Sequence, residues 1–329
     1  MQAAIFRAYG GPDVIEICDL PEPHMDAPDQ VLIEVHAVAL NPLDTRIRRG
    51  ELSFWVRQKW PGRLGHDVFA TVLACGSDVT HLRVGDRVAG FIDRSHCPSL
   101  MGFVRGGALA QRIVVRANTL CALPCPATDD VAALGLAGQT ACQALLDKSH
   151  LSAGQHILIN GAAGGVGSMA VQIARCLGAE VTAVAGPGQG AWLKSLGADH
   201  VLDYKTEQVL GDVRYDVIYD VAGVLKPAMA QACLKAGGIF ISNLPSLPGL
   251  LRAALSRLLP RGSGRFAVVW VKPDYQTMAQ LLSWYAEGKI QPAVSARFAL
   301  ADVRAAFEYM ESAQSFGKTL VQLTQSSGR

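Results

Sequence analysis

Between residues 156 and 167 the chain reads His156-Ile157-Leu158-Ile159-Asn160-Gly161-Ala162-Ala163-Gly164-Gly165-Val166-Gly167. A short apolar run stops at four glycines spread over seven positions. Val166, Ala170, Ile173, Ala174 and Leu177 then recur at helix spacing. A buried strand must therefore turn sharply into a helix. Gly161, Gly164 and Gly165 let the backbone turn tightly and approach a pyrophosphate, while Gly167 lets the helix pack closely on the strand. The first turn of that helix offers unpaired N–H groups and the positive end of its dipole to the phosphates. No Gly-Lys-Ser/Thr follows, so the turn is not a P-loop. The pattern is that of a βα unit built to bind a dinucleotide.

The residues after 125 continue the alternation. Strands are expected at 180–185, 200–204, 215–221, 238–243 and 266–271, with helices at 191–196 and up to residue 234. Strands alternating with helices imply a parallel sheet covered on both faces, an α/β doubly wound arrangement. Before 125 the chain has a different character. Short β-like runs at 31–38, 68–74, 87–91 and 112–115 are separated by Gly, Pro and Asp, and Val84-Gly85-Asp86-Arg87-Val88 reads as a turn leading into a strand. That half is expected to form a mostly antiparallel β domain. The tail from 273 holds a helix (275–287), a strand (293–298), a helix (301–312) and a last strand (319–323), and it does not extend the alternation. The expected domains are thus 1–124 with 273–329, and 125–272.

Composition narrows the function. Half of the 329 residues are hydrophobic and the formal charge is only +2, which supports a sizeable core and argues against nucleic-acid binding by bulk charge. The eight cysteines contain no Cys-x-x-Cys pair and read as small buried hydrophobes in a reducing compartment. No secretory leader is visible, and no apolar run reaches the roughly 20 residues needed to span a bilayer. The expectation is a soluble cytoplasmic protein.

The second strand of the alternating half ends at Ala185-Gly186-Pro187-Gly188-Gln189, where a carboxylate would meet the ribose 2′-hydroxyl of NAD. None is present, which favours NADPH over NADH. Lys194, Tyr204 and Lys205 are the candidates to meet a 2′-phosphate.

Further markers are Asn41-Pro42-Leu43-Asp44-Thr45, Leu64-Gly65-His66-Asp67-Val68, Leu136-Ala137-Gly138-Gln139-Thr140-Ala141, and Gly317-Lys318 before the last strand. With the glycine-rich turn, they make the chain resemble the medium-chain dehydrogenase/reductase superfamily, and within it the zinc-free quinone oxidoreductases. The resemblance covers nearly the whole chain. It implies a GroES-like β domain and a Rossmann domain with the active site between them, a homodimer, and hydride transfer from NADPH to a quinone or enone.

The zinc-dependent branch places a Cys where this chain has its Asn-Pro-Leu-Asp segment, a Gly-His-Glu where it has Gly65-His66-Asp67, and a further Cys near Leu136-Ala137. One His beside one Asp cannot build a three-ligand catalytic site, and Cys97 stands alone where a structural zinc lobe carries four cysteines. No zinc is expected, and His66 is read as a structural polar residue. Without that Lewis acid, the implied chemistry is reduction of an activated C=C or a quinone, whose own conjugation spreads the incoming charge.

The resemblance puts Asn41, Asp44 and Arg46 beside the nicotinamide as catalytic positions. Many relatives carry Tyr at the last of these. Arg46 either stabilises an enolate, binds an anionic substrate, or faces solvent. Cofactor contacts are expected from Pro42, Thr140, Gln143, Gly161, Ala163, Gly164, Gly165, Val166, Gly186, Tyr204, Val221, Ala222, Asn243 and Lys318. Substrate-pocket loops are expected at 50–63 and 93–107, and residues 247–259 read as an amphipathic helix with basic residues. Two other readings stand beside the quinone or enone reductase. One is an enoyl-thioester reductase; the other is a cofactor-binding structural or nucleic-acid-binding protein with little turnover.

Overall fold

The computed structural model describes residues 1–53, 56–92, 102–104, 107–243, 247–256, 264–312 and 314–323. Cys97, most of the 93–107 loop and residues 257–259 lie outside the described residues. The chain divides into two units. One comprises Met1–Leu136, Pro273–Ala286 and Pro292–Arg329; the other comprises Ala137–Lys272 and Glu287–Gln291.

The first unit opens with an antiparallel pair, β1 (Gln2–Phe6) and β2 (Ile15–Asp19). Strand β3 (Gln30–Ala39) buries Val31, Ile33, Val35 and Ala37, a period-two pattern that turns one face to the core. Helix α1 (Pro42–Arg48) follows, then β4 (Val56–Gln58), β5 (Asp67–Cys75), β6 (Arg87–Phe91), β7 (Gly102–Val104), β8 (Arg112–Arg116) and β9 (Leu120–Ala122). Strand β3 pairs antiparallel with β5 and β8, and β5 pairs antiparallel with β6. The expected turn before β6 is formed. Gly85 adopts φ +93°, and the Arg83 N–H donates to Asp86 Oδ2 at 2.8 Å.

The second unit is a six-stranded sheet, every neighbouring pair parallel. Helix α2 (Gly135–Cys142) leads in and continues as a π-helical turn over Gln143–Lys148. There follow β10 (His156–Asn160), α3 (Gly165–Cys176), β11 (Glu180–Ala185), α4 (Gly190–Leu196), β12 (His200–Asp203), β13 (Tyr215–Asp220), α5 (Pro227–Ala232), β14 (Leu234–Ser242), α6 (Leu247–Ser256) and β15 (Arg265–Val268). The order is β12-β11-β10-β13-β14-β15, so the winding reverses at β10, where open parallel sheets bind ligands. Ile157, Leu158 and Ile159 are fully buried, as a central strand covered on both faces requires.

Some boundaries differ from expectation: the strand expected at 266–271 is β15, which ends at Val268, and the helix expected from 301 starts as a 3-10 turn, with the α-helix beginning at Val303. The helix expected to reach residue 234 stops at Ala232, and β14 begins at Leu234. The Tyr215 N–H donates to the Cys233 carbonyl at 2.9 Å, and Leu234 pairs with Tyr215 ahead of a register shift. Sheet pairing outcompetes the local helical pattern.

In the tail, α7 (Tyr275–Ala286) precedes β16 (Val294–Ala299), α8 (Val303–Glu311) and β17 (Lys318–Gln322). Strand β17 pairs antiparallel with β3, and β16 pairs parallel with β17. The C-terminal strand thus completes the main sheet of the first unit. Helix α8 is tied to α1 by the fully buried Arg48. Its Nη1 donates to the Gly10 carbonyl at 2.9 Å, its Nη2 pairs with Glu311, and its guanidinium lies over the Phe307 ring.

Candidate active site

In the first unit, the end of β3 turns into α1 through Asn41, whose backbone is extended, with Pro42 in the first helical turn. Pro suits that place because its missing N–H has no intrahelical partner to lose. The Asn41 N–H donates to Asp44 Oδ2 at 2.8 Å, which holds the helix start by its own third residue. Asp44 is completely buried. Its Oδ1 also accepts from the Gly65 N–H at 2.7 Å and meets His66 Nδ1 at 2.8 Å. Gly65 adopts φ +91°, a left-handed turn that brings its N–H onto the carboxylate.

A second buried carboxylate lies beside the first. Asp67 opens β5, and its Oδ2 accepts from Asn41 Nδ2 at 3.0 Å and from Lys318 Nζ at 3.0 Å. Its Oδ1 accepts from the Leu136 N–H at 2.6 Å. Lys318 Nζ also donates to Asn41 Oδ1 at 2.5 Å. Asn41, Asp44, His66, Asp67 and Lys318 therefore form one connected buried polar group, a set of charges that the apolar core tolerates only when paired. Arg46 is not part of it. Its half-exposed side chain faces Glu51 at 3.4 Å.

In the second unit, Gly161 adopts φ +82°, and the N–H groups of Gly161 and Ala162 both donate to the Val184 carbonyl. A Cβ at Gly167 would fall 2.1 Å from the Gly161 carbonyl oxygen, so this glycine is required for α3 to sit against the turn. A Cβ at Gly164, the residue before α3, would meet nothing nearer than 3.6 Å. The turn therefore presents bare backbone and a twelve-residue helix N-terminus on an open face, which fits the pyrophosphate of a dinucleotide.

At the end of β11, an open depression of about 410 Å³ is lined by Gly186, Pro187, Gly188, Lys194, Asp203 and Glu207 among others. The Tyr204 ring lies against Gly186, 3.4 Å from where a Cβ would stand, and is 56% exposed. The acidic pair here is engaged in its own turn, Asp203 N–H donating to Glu207 Oε2 and Lys205 N–H donating to Asp203 Oδ1.

At the end of β13, the N–H groups of Val221 and Ala222 both donate to the Asn160 carbonyl, joining that corner to the central strand. Asp220 organises it. Its Oδ1 accepts from Asn160 Nδ2 and the Gly223 N–H, and its Oδ2 from the Leu225 N–H. Asn243, at the end of β14, accepts a 2.7 Å hydrogen bond from the Tyr219 hydroxyl, whose pKa full burial pushes up. Gln143 donates to the Lys272 carbonyl at 2.7 Å, and Thr140 is buried in α2.

Asp67 and Asp220 were not singled out by sequence reasoning. In the sequence Asp67 stands only within a family marker and a partial metal motif, and Asp220 reads as one more strand residue. Among the described residues, no group of three His, Cys, Asp or Glu is placed to hold a metal ion. Burial pushes the Cys121 and Cys142 thiols up to about 12, so both stay protonated at neutral pH.

Two family models match this chain: the alcohol dehydrogenase GroES-like domain over residues 27–125 and the zinc-binding dehydrogenase over 196–321. The 2-methylene-furan-3-one reductase of Solanum lycopersicum is 32% identical, over 98% of this chain and 79% of its own. The NADPH-dependent alkenal/one oxidoreductase of Arabidopsis thaliana chloroplasts is 31% identical over the same shares. The solved quinone oxidoreductase of Coxiella burnetii superposes with a TM-score of 0.85 at 27% identity, over 98% of this chain and 99% of its own. The fold is thus a GroES-like domain joined to a Rossmann-type parallel sheet. The chain belongs to the quinone-oxidoreductase-like family of the medium-chain dehydrogenase/reductase superfamily.

Proposed function

We propose that this protein is an NADPH-dependent oxidoreductase that reduces a quinone or a C=C bond conjugated to a carbonyl. The observation that carries the reading is the turn at 161–167, open at Gly164 and closed at Gly167, at the strand where the winding reverses. The names of the two plant relatives, both reductases of conjugated carbonyls, support the acceptor class.

In this reading Gly161, Ala163, Gly164, Gly165 and Val166 hold the pyrophosphate. Gly186 and Tyr204 border the adenosine ribose, and Lys194 meets the 2′-phosphate in the depression beside them. Val221, Ala222 and Asn243 stand at carboxyl ends of parallel strands, with Thr140 and Gln143 in the segment before β10, as contacts for the nicotinamide half. Bound NADPH supplies a hydride. The chain's own part is orientation, because a conjugated acceptor spreads the incoming charge over its own oxygen. Asn41, Pro42 and Asp44 give the reacting face a rigid corner rather than a loop. Arg46, paired with Glu51 at the surface, is a contact for an anionic part of the acceptor or none at all. The reaction requires no metal.

A panel of enones, quinones and enoyl thioesters with purified protein tests the reading by the loss of NADPH absorbance. Tight NADPH binding without oxidation by any acceptor would overturn it. Enoyl thioesters outcompeting the others would move the assignment to a thioester reductase.

We also read the protein as a cytoplasmic homodimer. The described cysteines are all free thiols, as in a reducing compartment, and no described helix is long and apolar enough to cross a membrane. Strand β15 is an outer strand of its sheet, an edge that pairs readily with a second copy. A monomeric mass by light scattering at micromolar concentration would refute the dimer.

A further inference from the structure

We infer that Asp67 and Lys318 are positioning residues for the reduction: together they lock the Asn41 carboxamide in one orientation and tie its corner to the first turn of α2. The inference rests on the reductase reading above, which places Asn41 at the reacting face.

The chemistry of the donors sets the orientation. An ammonium group can only donate, so the Asn41 atom 2.5 Å from Lys318 Nζ is the carboxamide oxygen. The Nδ2 group must then face the other way, and it donates to Asp67 Oδ2 at 3.0 Å and the Ala39 carbonyl at 3.2 Å. A flipped amide would set Nδ2 against the ammonium and the oxygen against a carboxylate. Both flips of an isolated Asn are nearly equivalent; here the ion pair makes one of them untenable.

The second arm runs through the other oxygen of Asp67. Its Oδ1 accepts from the Leu136 N–H at 2.6 Å, and a Cβ at Gly135 would fall 2.4 Å from that same oxygen. The backbone at Gly135 and Leu136, where α2 begins, is thus held by contact and by hydrogen bond. One carboxylate therefore joins the start of β5, the corner before α1, the start of β17 and the first turn of α2. An apolar pair would fill the same volume without the cost of desolvating two charges, but it could not fix an amide. Two of the three Lys318 N–H groups are taken in this lock, and 5% of the residue's surface is exposed. In this inference its role is to hold Asn41.

Two variants separate this role from a structural one. D67N/K318M removes both charges together, so no unpaired ion is buried. Lys318→Arg keeps a cation that can donate to both Asn41 Oδ1 and Asp67 Oδ2. Steady-state kinetics, NADPH titration by fluorescence, and amide hydrogen exchange by NMR are read for each. For D67N/K318M, kcat should fall by about 30-fold, since a displacement near 1 Å costs on the order of 10²-fold. The acceptor KM and the NADPH Kd should stay within about threefold, because no phosphate contact changes. The Asn41 side-chain amide, protected in the wild type, should exchange freely. K318R should keep that protection and most of kcat.

An unchanged kcat in D67N/K318M with the Asn41 amide released would overturn the inference. So would an NADPH Kd that rises as far as kcat falls, which would make Lys318 a cofactor contact. If the double variant does not fold, K318R decides: loss of kcat with Asn41 still protected refutes the lock. A wild type that turns over no acceptor refutes the reductase reading itself, a result distinct from each of these.

Discussion

Asp44 and His66 are joined by a 2.8 Å hydrogen bond between Nδ1 and a carboxylate that has no solvent exposure. The same carboxylate accepts from two backbone N–H groups, those of Asn41 and Gly65. A carboxylate so used takes a hydrogen from Nδ1, which sets the tautomer of the imidazole. His66 is thus bound into a hydrogen-bonded corner.

Replacing Asp44 by Ala should strip three buried donors of their acceptor at once. Each unsatisfied group costs about 1–3 kcal/mol, so the expected loss of stability is about 4 kcal/mol with some relaxation. Urea unfolding at neutral pH checks this. A loss below about 1 kcal/mol would mean that water or another acceptor serves the corner.

Two glycines of the same turn should behave oppositely. Gly167→Ala drives a methyl into the Gly161 carbonyl, where the obstacle is backbone and cannot swing away. Stability should drop by about 2 kcal/mol or more. Gly164→Ala meets only ordinary van der Waals distances and should leave the melting temperature nearly unchanged. Its methyl occupies the open face, so NADPH affinity should still fall by about tenfold or more. Unaltered NADPH binding by Gly164→Ala would mean that the pyrophosphate lies elsewhere.

Lys194 supplies a cation to the lining of the depression beside Gly186. A charge-assisted hydrogen bond to a 2′-phosphate is worth about 1.5–3 kcal/mol. Lys194→Ala should therefore weaken NADPH binding by about tenfold and leave NADH binding almost untouched. Equal losses for both cofactors, measured by calorimetry, would take Lys194 out of this role.

At the opposite end of the parallel sheet, burial holds the His156 imidazole below its ordinary value; Lys235 and His200 add to this, while Glu180 and Asp216 oppose it. The unfolded chain thus binds this proton at a higher pH than the folded one. The contribution of His156 to stability is complete above about pH 6.5 and is lost as the pH falls toward the lowered folded value. Urea midpoints should decline from about pH 7.5 to about pH 5.5, and His156→Gln should flatten part of that decline. A steeper decline in the variant would reverse the sign.

Much of the second unit was legible because its determinants are local. The strand at 156–160 and the strand at 180–185 have the expected limits, and α3 begins one residue before the expected 166. One departure, at Leu234, lies where pairing with Tyr215 overrides a helical pattern that is sound on its own. Among the candidate site residues, the glycines of the turn are legible from spacing. Gln143 and Asn243 did not: each is engaged by a distant partner, Lys272 and Tyr219, that no local pattern names.

By itself, then, the sequence determined the βα unit at 156–167 and the parallel sheet around it, because periodicity and glycine placement act within a few residues. Only the tertiary structure decided the buried polar corner. Asn41 and Asp67 are 26 residues apart and Lys318 is 251 beyond Asp67, and they meet because β17 pairs with β3. Strand pairing at that separation depends on the closure of the whole unit, and each of the three residues taken alone reads as an ordinary turn or surface residue. Burial then changes their chemistry: charges that water would screen must find each other, and in doing so they lock an amide in place.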